Sequence, residues 1–537
     1  MRPIMDIPFW TTAYERLKKA DMGFAGEIDS EYYDVDPVTS AIVIPDDKGK
    51  GNINWDNLEN YAKNLGYVVK KKENGTITGL FRFDRDIGYY VASDPSVFTD
   101  ELIRAVKSFR NTLISTTFPK LVELNIIKNL PSTDELIPKG RTAALIDLYK
   151  DGEVIPFKNG IYSVRANRML PRTSSVFIEN PLMVDFNPDS LDADIAERYM
   201  QIACGDQSVL YDLLEQCGYI FFSRKITQPS FVIFSGPAGA NGKSTVIKVI
   251  KHIIREGDIS YTSLMGMTDK FAQTEMIGKI LNIAEDTSSI SMDQKFMTSN
   301  VLQFLKNATD GAEQQFERKY EKPFFTTAPK KFIFATNYNL NFGGTDGGFE
   351  RRMHIIPFDN RFKSDNSIQD LYLEKEAVEW FAMNSLVAYM CFVHRGCSIK
   401  GVDEFEPNAP LTGVFFESKR SQKAKVEQLM TQDSVMEWLG DYLNLDVTNK
   451  MEVVTFLVLS ASPDAGDKRM DPFEEYVTYC SRNHRKNKSR KSFHEELEKR
   501  FDLEISRSTS SILNGSHYYR YDVKNGALLM GINEEEE

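Results

Sequence analysis

Cysteine is scarce in this chain: there are five in 537 residues, at Cys204, Cys217, Cys391, Cys397 and Cys480, and no two form a Cys-x-x-Cys pair. An odd count without that spacing supports neither a disulfide framework nor a structural zinc site, and it fits a reducing cytoplasm. Long apolar runs are missing too. The most apolar stretch, Ala377 to Arg395, is interrupted by Glu379, Asn384 and Ser385, and Leu386 to Val393 is its longest clean run. A membrane span needs about 18 such residues, so a buried helix is expected there and no membrane partner. The opening MRPIMDIPFWTTAYERLKK has no apolar core followed by small residues, so no export is expected. No repeat of about 20 to 50 residues is visible, which removes solenoids and propellers. A net charge of −12 argues against a surface that is basic throughout, yet leaves room for local patches that hold a polyanion.

Core-forming material, by contrast, is ample. Hydrophobic residues make up 42% and charged residues 26%, which excludes a disordered or collagen-like chain. At about 150 residues per domain, the length predicts three or four units. Turn-rich and charged stretches supply the boundaries. An N-terminal region with a Gly/Lys/Asn loop at DKGKGNINW spans residues 1–140. Strand, loop and then helix patterns occupy 141–225, and a dense alternation of strand and helix signals fills 226–400. A loop-rich and helical linker covers 401–469, and a small unit spans 470–537.

The chemistry lies in the third of these. Phe231 to Phe234 (FVIF) is the short apolar run of a buried parallel strand, and it leads through SGPAGANGKST into the helical pattern VIKVIKHII. Strand, glycine loop, helix is the order that cradles phosphates on consecutive backbone N–H groups and the positive end of a helix. Lys243 supplies charge for the outer phosphates, and Ser244, followed by Thr245, a hydroxyl for Mg²⁺. The pattern Gly-x4-Gly-Lys-[Ser/Thr] is not strictly met, because its first glycine would fall on Pro237 while Gly236 sits one residue early. Gly239, Asn241 and Gly242 still give the loop its freedom.

Hydrolysis of a nucleotide also needs a carboxylate for metal and water. KILNIA, Lys279 to Ala284, reads as a second buried strand ending in Glu285-Asp286, a pair suited to Mg²⁺; taken alone that pair reads equally as a solvated acidic turn. A third strand, KFIFAT, delivers Asn337, whose neutral amide can hydrogen-bond a γ-phosphate or the lytic water. Arg351 and Arg352 then precede the apolar run His354 to Phe358. Arginine suits a transferring phosphoryl group, often from a neighbouring subunit, although two adjacent arginines are also an ordinary solvated pair.

In that order, GANGKST, ILNIAED, LKNATDGAEQQFERKYEKPF, KKFIFATN and FERRMHIIPF resemble the motif set of the superfamily 3 helicases of viruses and mobile elements. The resemblance is to the branch shared by phage and plasmid primase-helicases and poxvirus primase-helicases. It implies an α/β fold: a AAA+ P-loop ATPase core with a parallel central sheet, preceded by a helical collar. It further implies ATP and Mg²⁺ between the subunits of a ring, usually a hexamer, single-stranded DNA in the channel and 3′ to 5′ movement. Lys243 and Ser244 become the phosphate-loop pair, Glu285 and Asp286 the second acidic motif, Asn337 the sensor, and Arg351 or Arg352 the finger acting on a neighbour's ATP.

Two stretches suit DNA. Lys306 to Lys331 interleaves cations with Phe316, Tyr320, Phe324 and Phe325, and the resemblance implies a pore-facing hairpin there, with Arg318, Lys319 and Lys322 as candidates at its tip. Asp310, Glu313, Glu317 and Glu321 dilute that charge. Near the C-terminus Arg482, Arg485, Lys486, Lys488, Arg490 and Lys491 fall in ten residues without an acid, between two helical patterns and before the strand-like SSILNGSHYYRYDV. That order suggests a winged-helix-like DNA-binding domain. The first 140 residues form an α+β accessory region; Asp34-Val35-Asp36 superficially resembles a metal-binding pair of a primase but lacks a His-containing companion motif. The expected activity is a replicative DNA helicase of a phage or mobile element, acting on single-stranded, forked or origin DNA. The alternatives are a primase-helicase, or an ATP-switched initiator or loader without processive unwinding.

Overall fold

The computed structural model describes residues 7, 9–30, 32, 36–37, 40–44, 51–109, 113–150, 154–223, 228–236, 239–285, 295–318, 323–329, 331–337, 340, 347–362, 366–396, 415–430, 434–443, 445, 450–461, 471–483, 487–501, 503–513 and 516–523. Four apolar runs, FVIF, LNIA, KFIFAT and MHIIP, become strands of one sheet. Within this part of the chain the elements are β1 (Phe231–Ser235), α1 (Lys243–Ile253), β2 (Ile259–Ser260), β3 (Leu281–Ala284), α2 (Lys295–Thr309), β4 (Glu313–Phe316), β5 (Phe324–Thr327), β6 (Lys331–Thr336) and β7 (Met353–Pro357). The sheet order is β2-β3-β6-β1-β7 and every neighbouring pair is parallel. Parallel strands need helices on both faces, so nearly every position is apolar, and side chains alternate between two cores. Val232, Phe234, Ile333 and Ile356 enter one core; Phe231, Ile233, Phe332, Phe334 and Ile355 enter the other.

The first core is closed by two long helices, Gln207–Phe222 and Lys375–Gly396. They touch where Gly218 faces Ser385, and a Cβ on Gly218 would collide with the Ser385 carbonyl. Lys375–Gly396 is the expected buried helix, and among the described residues no helix is long and apolar enough to cross a membrane. Lys331, counted by sequence among the DNA-facing cations, is buried instead. Its Nζ donates to Ser223 O at 3.0 Å and to Tyr219 O, satisfying carbonyls at the end of Gln207–Phe222.

Core membership cuts across the expected boundaries. Trp10, Ala13 and Leu17 of the helix Trp10–Lys18 pack into the first core of the sheet. The strands Val154–Phe157, Gly160–Ser163 and Arg168–Leu170 share that core through Ile155, Phe157, Tyr162 and Met169. The segment 141–225 is therefore no separate body. A second core, with Leu58, Tyr61, Val69, Phe98, Leu102 and Val122, gathers the antiparallel strands Tyr67–Lys71, Ile77–Asp84 and Tyr89–Ala92 with the helices Trp55–Asn64, Pro95–Lys107 and Phe118–Asn125. This is the α+β N-terminal region.

Downstream, the helix Lys419–Met430 packs on β7. Its entry is held by buried carboxylates of Gln207–Phe222: Asp212 Oδ2 accepts from Ser418 N at 2.8 Å and Ser421 Oγ at 2.6 Å, and Glu215 Oε1 accepts from Phe416 N at 2.7 Å. Glu215 also pairs with Arg395. Burial pushes the Asp212 carboxyl up to about 7 against the hydrogen bonds from Ser421 and Ser418. The last core joins Val435, Trp438, Leu457, Tyr476, Phe493, Leu497 and Tyr521. It binds the helices Lys450–Ala461, Pro472–Arg482 and Arg490–Phe501 to the hairpin Leu503–Leu513/Ser516–Val523. Because Val435 and Trp438 belong to it, the C-terminal unit starts well before residue 470.

Candidate nucleotide and DNA sites

The chain leaves β1, crosses to β2 and β3 at the far side of the sheet, and returns to β6 beside β1. In open parallel sheets that reversal opens a crevice at the carboxyl ends of the strands, where ligands bind. The loop after β1 lies there. Gly236 N donates to Thr336 O at 3.2 Å, and Phe358 N to Ser235 O at 2.7 Å, so the loop starts wedged between the ends of β6 and β7. A Cβ on Gly236 would lie 2.5 Å from Phe358 O and would also strike the Asn241 amide. Glycine at 236 is thus required by close approach, although it stands one residue before the position that the motif prescribes. Pro237 lies outside the described residues.

The loop then winds through two left-handed residues, Ala240 (φ 58°) and Gly242 (φ 93°), the second capping α1. It is backed by groups far from it in the chain. Gly242 packs near Ile202 and Phe362, Phe362 N donates to Ala240 O at 2.7 Å, and Asn360 Nδ2 donates to Gln201 O. No local pattern announces these contacts, since they join segments far apart in the chain. Nothing lies within 4 Å of a Cβ placed on Gly239, which is exposed.

Lys243 opens α1 and is only 7% exposed. Its Nζ donates to Gly236 O at 3.1 Å and to Asn337 Oδ1 at 2.8 Å, so the expected sensor asparagine meets the expected phosphate-loop lysine. Ser244 beside it is exposed, whereas Thr245 is buried. Glu285 also reaches the carboxyl edge, at the end of β3, but its Oε1 pairs with Lys251 Nζ of α1 at 2.7 Å. Lys251 was not foreseen from the sequence. Asp286 lies outside the described residues.

Among the described residues no cluster of three or more His, Cys, Asp or Glu could hold a metal. The donors present still fit Mg²⁺, which takes one or two carboxylates and completes its shell with water and substrate phosphates. Ser244, which is exposed, and Glu285 are the candidate ligands among the described residues.

The arginines do not join this group. Both precede β7, which is parallel to β1, so they stand at the amino edge of the sheet. Five strand residues at about 3.3 Å each separate that edge from the phosphate loop, roughly 16 Å. Neither arginine reaches its own chain's loop. Arg352 is buried: its Nη2 donates to both Asp310 oxygens at 2.7 and 2.8 Å, and Nη1 donates to Gly348 O. It ties β7 to the end of α2. Arg351 is exposed.

β4 and β5 form the expected antiparallel hairpin. Arg318 sits over the Phe324 ring at 5.3 Å, and Phe325 is 61% exposed; Lys319 and Lys322 lie outside the described residues. Three of the four diluting acids are engaged elsewhere, and Glu321 lies outside the described residues. Asp310 holds Arg352, Glu313 pairs with Lys72 at 2.6 Å, and Glu317 with Lys270 at 3.5 Å. In the C-terminal unit Arg485 and Lys486 are outside the described residues. Lys488 pairs with Glu496 at 3.5 Å, Arg490 with Asp471 at 3.0 Å and with Glu474, and Lys491 with Glu495 at 3.8 Å. Three of the six cations in the cluster without acids in sequence are thus matched with acids in space. Such partly exposed pairs hold by only about 0–1 kcal/mol and yield to phosphates.

Residues 234–352, well under half the chain, match the model of a family of unknown function (DUF5906). No curated protein matches the chain. In backbone shape the chain is similar to the apo structure of the C-terminal region of NrS-1, with 13% identity, TM-score 0.45, and coverage of 87% of this chain and 98% of that one. It is also similar to a JCV helicase structure with a bound small molecule, with 16% identity, TM-score 0.24, and coverage of 49% of this chain and 65% of that one. Both scores are low, so the functional argument rests on this chain's own residues.

Proposed function

We propose that this chain is an ATP-driven DNA helicase of the superfamily 3, AAA+ type, working as a ring, a hexamer as that resemblance implies, on single-stranded DNA with 3′ to 5′ polarity. The observation that carries the reading is the junction of Lys243 with Asn337 at the glycine-wedged carboxyl edge of the sheet. Lys243 would neutralise outer phosphates on the backbone N–H groups of the loop, and Ser244 with Glu285 would hold Mg²⁺. When bound, the ion neutralises charge on the phosphates. Glu285 would orient the attacking water, and Asn337 would hydrogen-bond it or the γ-phosphate without adding repulsive charge.

Arg351, exposed at the opposite edge, would serve another copy's nucleotide, so the reading calls for a ring. The hairpin with Arg318, and Lys319 and Lys322 by sequence, would grip the strand. The winged-helix-like C-terminal unit, with Lys488, Arg490 and Lys491, would bind duplex or origin DNA.

Displacement of a strand from a 3′-tailed fork with Mg²⁺ and ATP tests this. The wild type should displace it, Lys243→Ala should not, and Glu285→Gln should bind ATP without turning it over. DNA-stimulated hydrolysis with no displaced strand would replace the helicase by a switched loader. Primers made from template and nucleotides would make the chain a primase-helicase.

A further inference from the structure

Glu285 is not aimed at Lys243. Its Oε1 lies 2.7 Å from Lys251 Nζ, and that ammonium sits 4.6 Å from the centre of the Tyr261 ring. Tyr261 immediately follows β2, and its hydroxyl donates to Glu256 Oε1 at 2.7 Å. β2 is the edge strand on one side of β3, whereas β6 and β1, which carry Asn337 and the phosphate loop, lie on the other. The carboxylate therefore turns outward across β2, while the group it must serve lies inward across β6. Lys251 is eight residues beyond Lys243 on α1, about 12 Å along the helix from the end that receives phosphates.

Resting on the ATPase reading above, we propose that Lys251 is a positioning residue that latches Glu285 away from the phosphate loop, so that opening this ion pair limits ATP turnover. A carboxylate oxygen held by an ammonium is not free to accept a proton from the attacking water, and Tyr261, anchored by Glu256, holds the ammonium on the outer side. The latch is shallow. Both side chains are partly exposed, at 27% and 38%, and pairs of that kind shift an equilibrium by a factor of about two to five.

Steady-state ATP hydrolysis by the full chain tests it. Lys251→Met should raise kcat about two- to fivefold with KM unchanged, and Lys251→Arg, which keeps the pair, should return kcat to the wild-type value. A wild type that hydrolyses ATP beside a Lys251→Met variant with equal or lower kcat overturns the latch alone. A wild type that hydrolyses no ATP overturns the ATPase reading and the latch with it. A structure of the wild-type chain with Mg²⁺ and a non-hydrolysable ATP analogue provides the second measurement: Glu285 should have left Lys251 by more than about 4 Å, and a pair kept intact over bound nucleotide contradicts the proposal.

Discussion

Lys243 shows how burial assigns a task to a side chain. An ammonium withdrawn from water is costly unless acceptors surround it, and Gly236 O and Asn337 Oδ1 supply two. Those acceptors lie where phosphate oxygens would compete for the same protons. The twin arginines divide by the same logic. Arg352 is buried against Asp310, so Arg352→Ala should lower unfolding stability by about 2 kcal/mol, less than a fully buried pair because Asp310 keeps 42% of its side chain in solvent. Arg351→Ala should leave the thermal midpoint unchanged and abolish ATP turnover. Thermal unfolding and hydrolysis assays on the two variants check the division; equal loss of midpoint in both would refute it. Sequence showed two interchangeable arginines, because the partner that separates them, Asp310, is supplied by the end of a different element.

Among elements, the sheet was the most legible part, since parallel strands covered on both faces read as short apolar runs, and three of them end at polar residues of the carboxyl edge. Ser235, Glu285 and Asn337 mark those ends. Their lateral order was not legible, because strand pairing depends on crossovers that leave no local signal. Nor was the clamp of Asp212 and Glu215, whose partners lie some two hundred positions away. That clamp has a pH signature. With its carboxyl raised to about 7, folded Asp212 keeps a proton that the unfolded chain releases near pH 4. Its contribution is therefore full below about pH 4, falls as pH rises and is lost once pH passes about 7. Asp212→Asn should remove this slope, gaining on the order of 3 kcal/mol relative to wild type between pH 4 and pH 8. Thermal midpoints of both proteins across that range measure it; parallel curves would contradict the assignment.

On the proposed reading, the groups that would carry ATP chemistry stand at opposite edges of one sheet. Lys243, Asn337 and Glu285 occupy the carboxyl edge, and Arg351 the amino edge. A single chain cannot bring them together, whereas head-to-tail copies closing a ring can. The order of motifs along the sequence was legible, but their division between edges required the direction of β7. The most direct test mixes Lys243→Ala chains with Arg351→Ala chains in equal amounts and measures ATP hydrolysis. Each variant alone should be inactive. The mixture should recover about a quarter of wild-type activity, the chance that an intact loop meets an intact arginine at a random interface. A mixture as inactive as its parents, or an Arg351→Ala chain that hydrolyses ATP at the wild-type rate alone, would contradict the shared site.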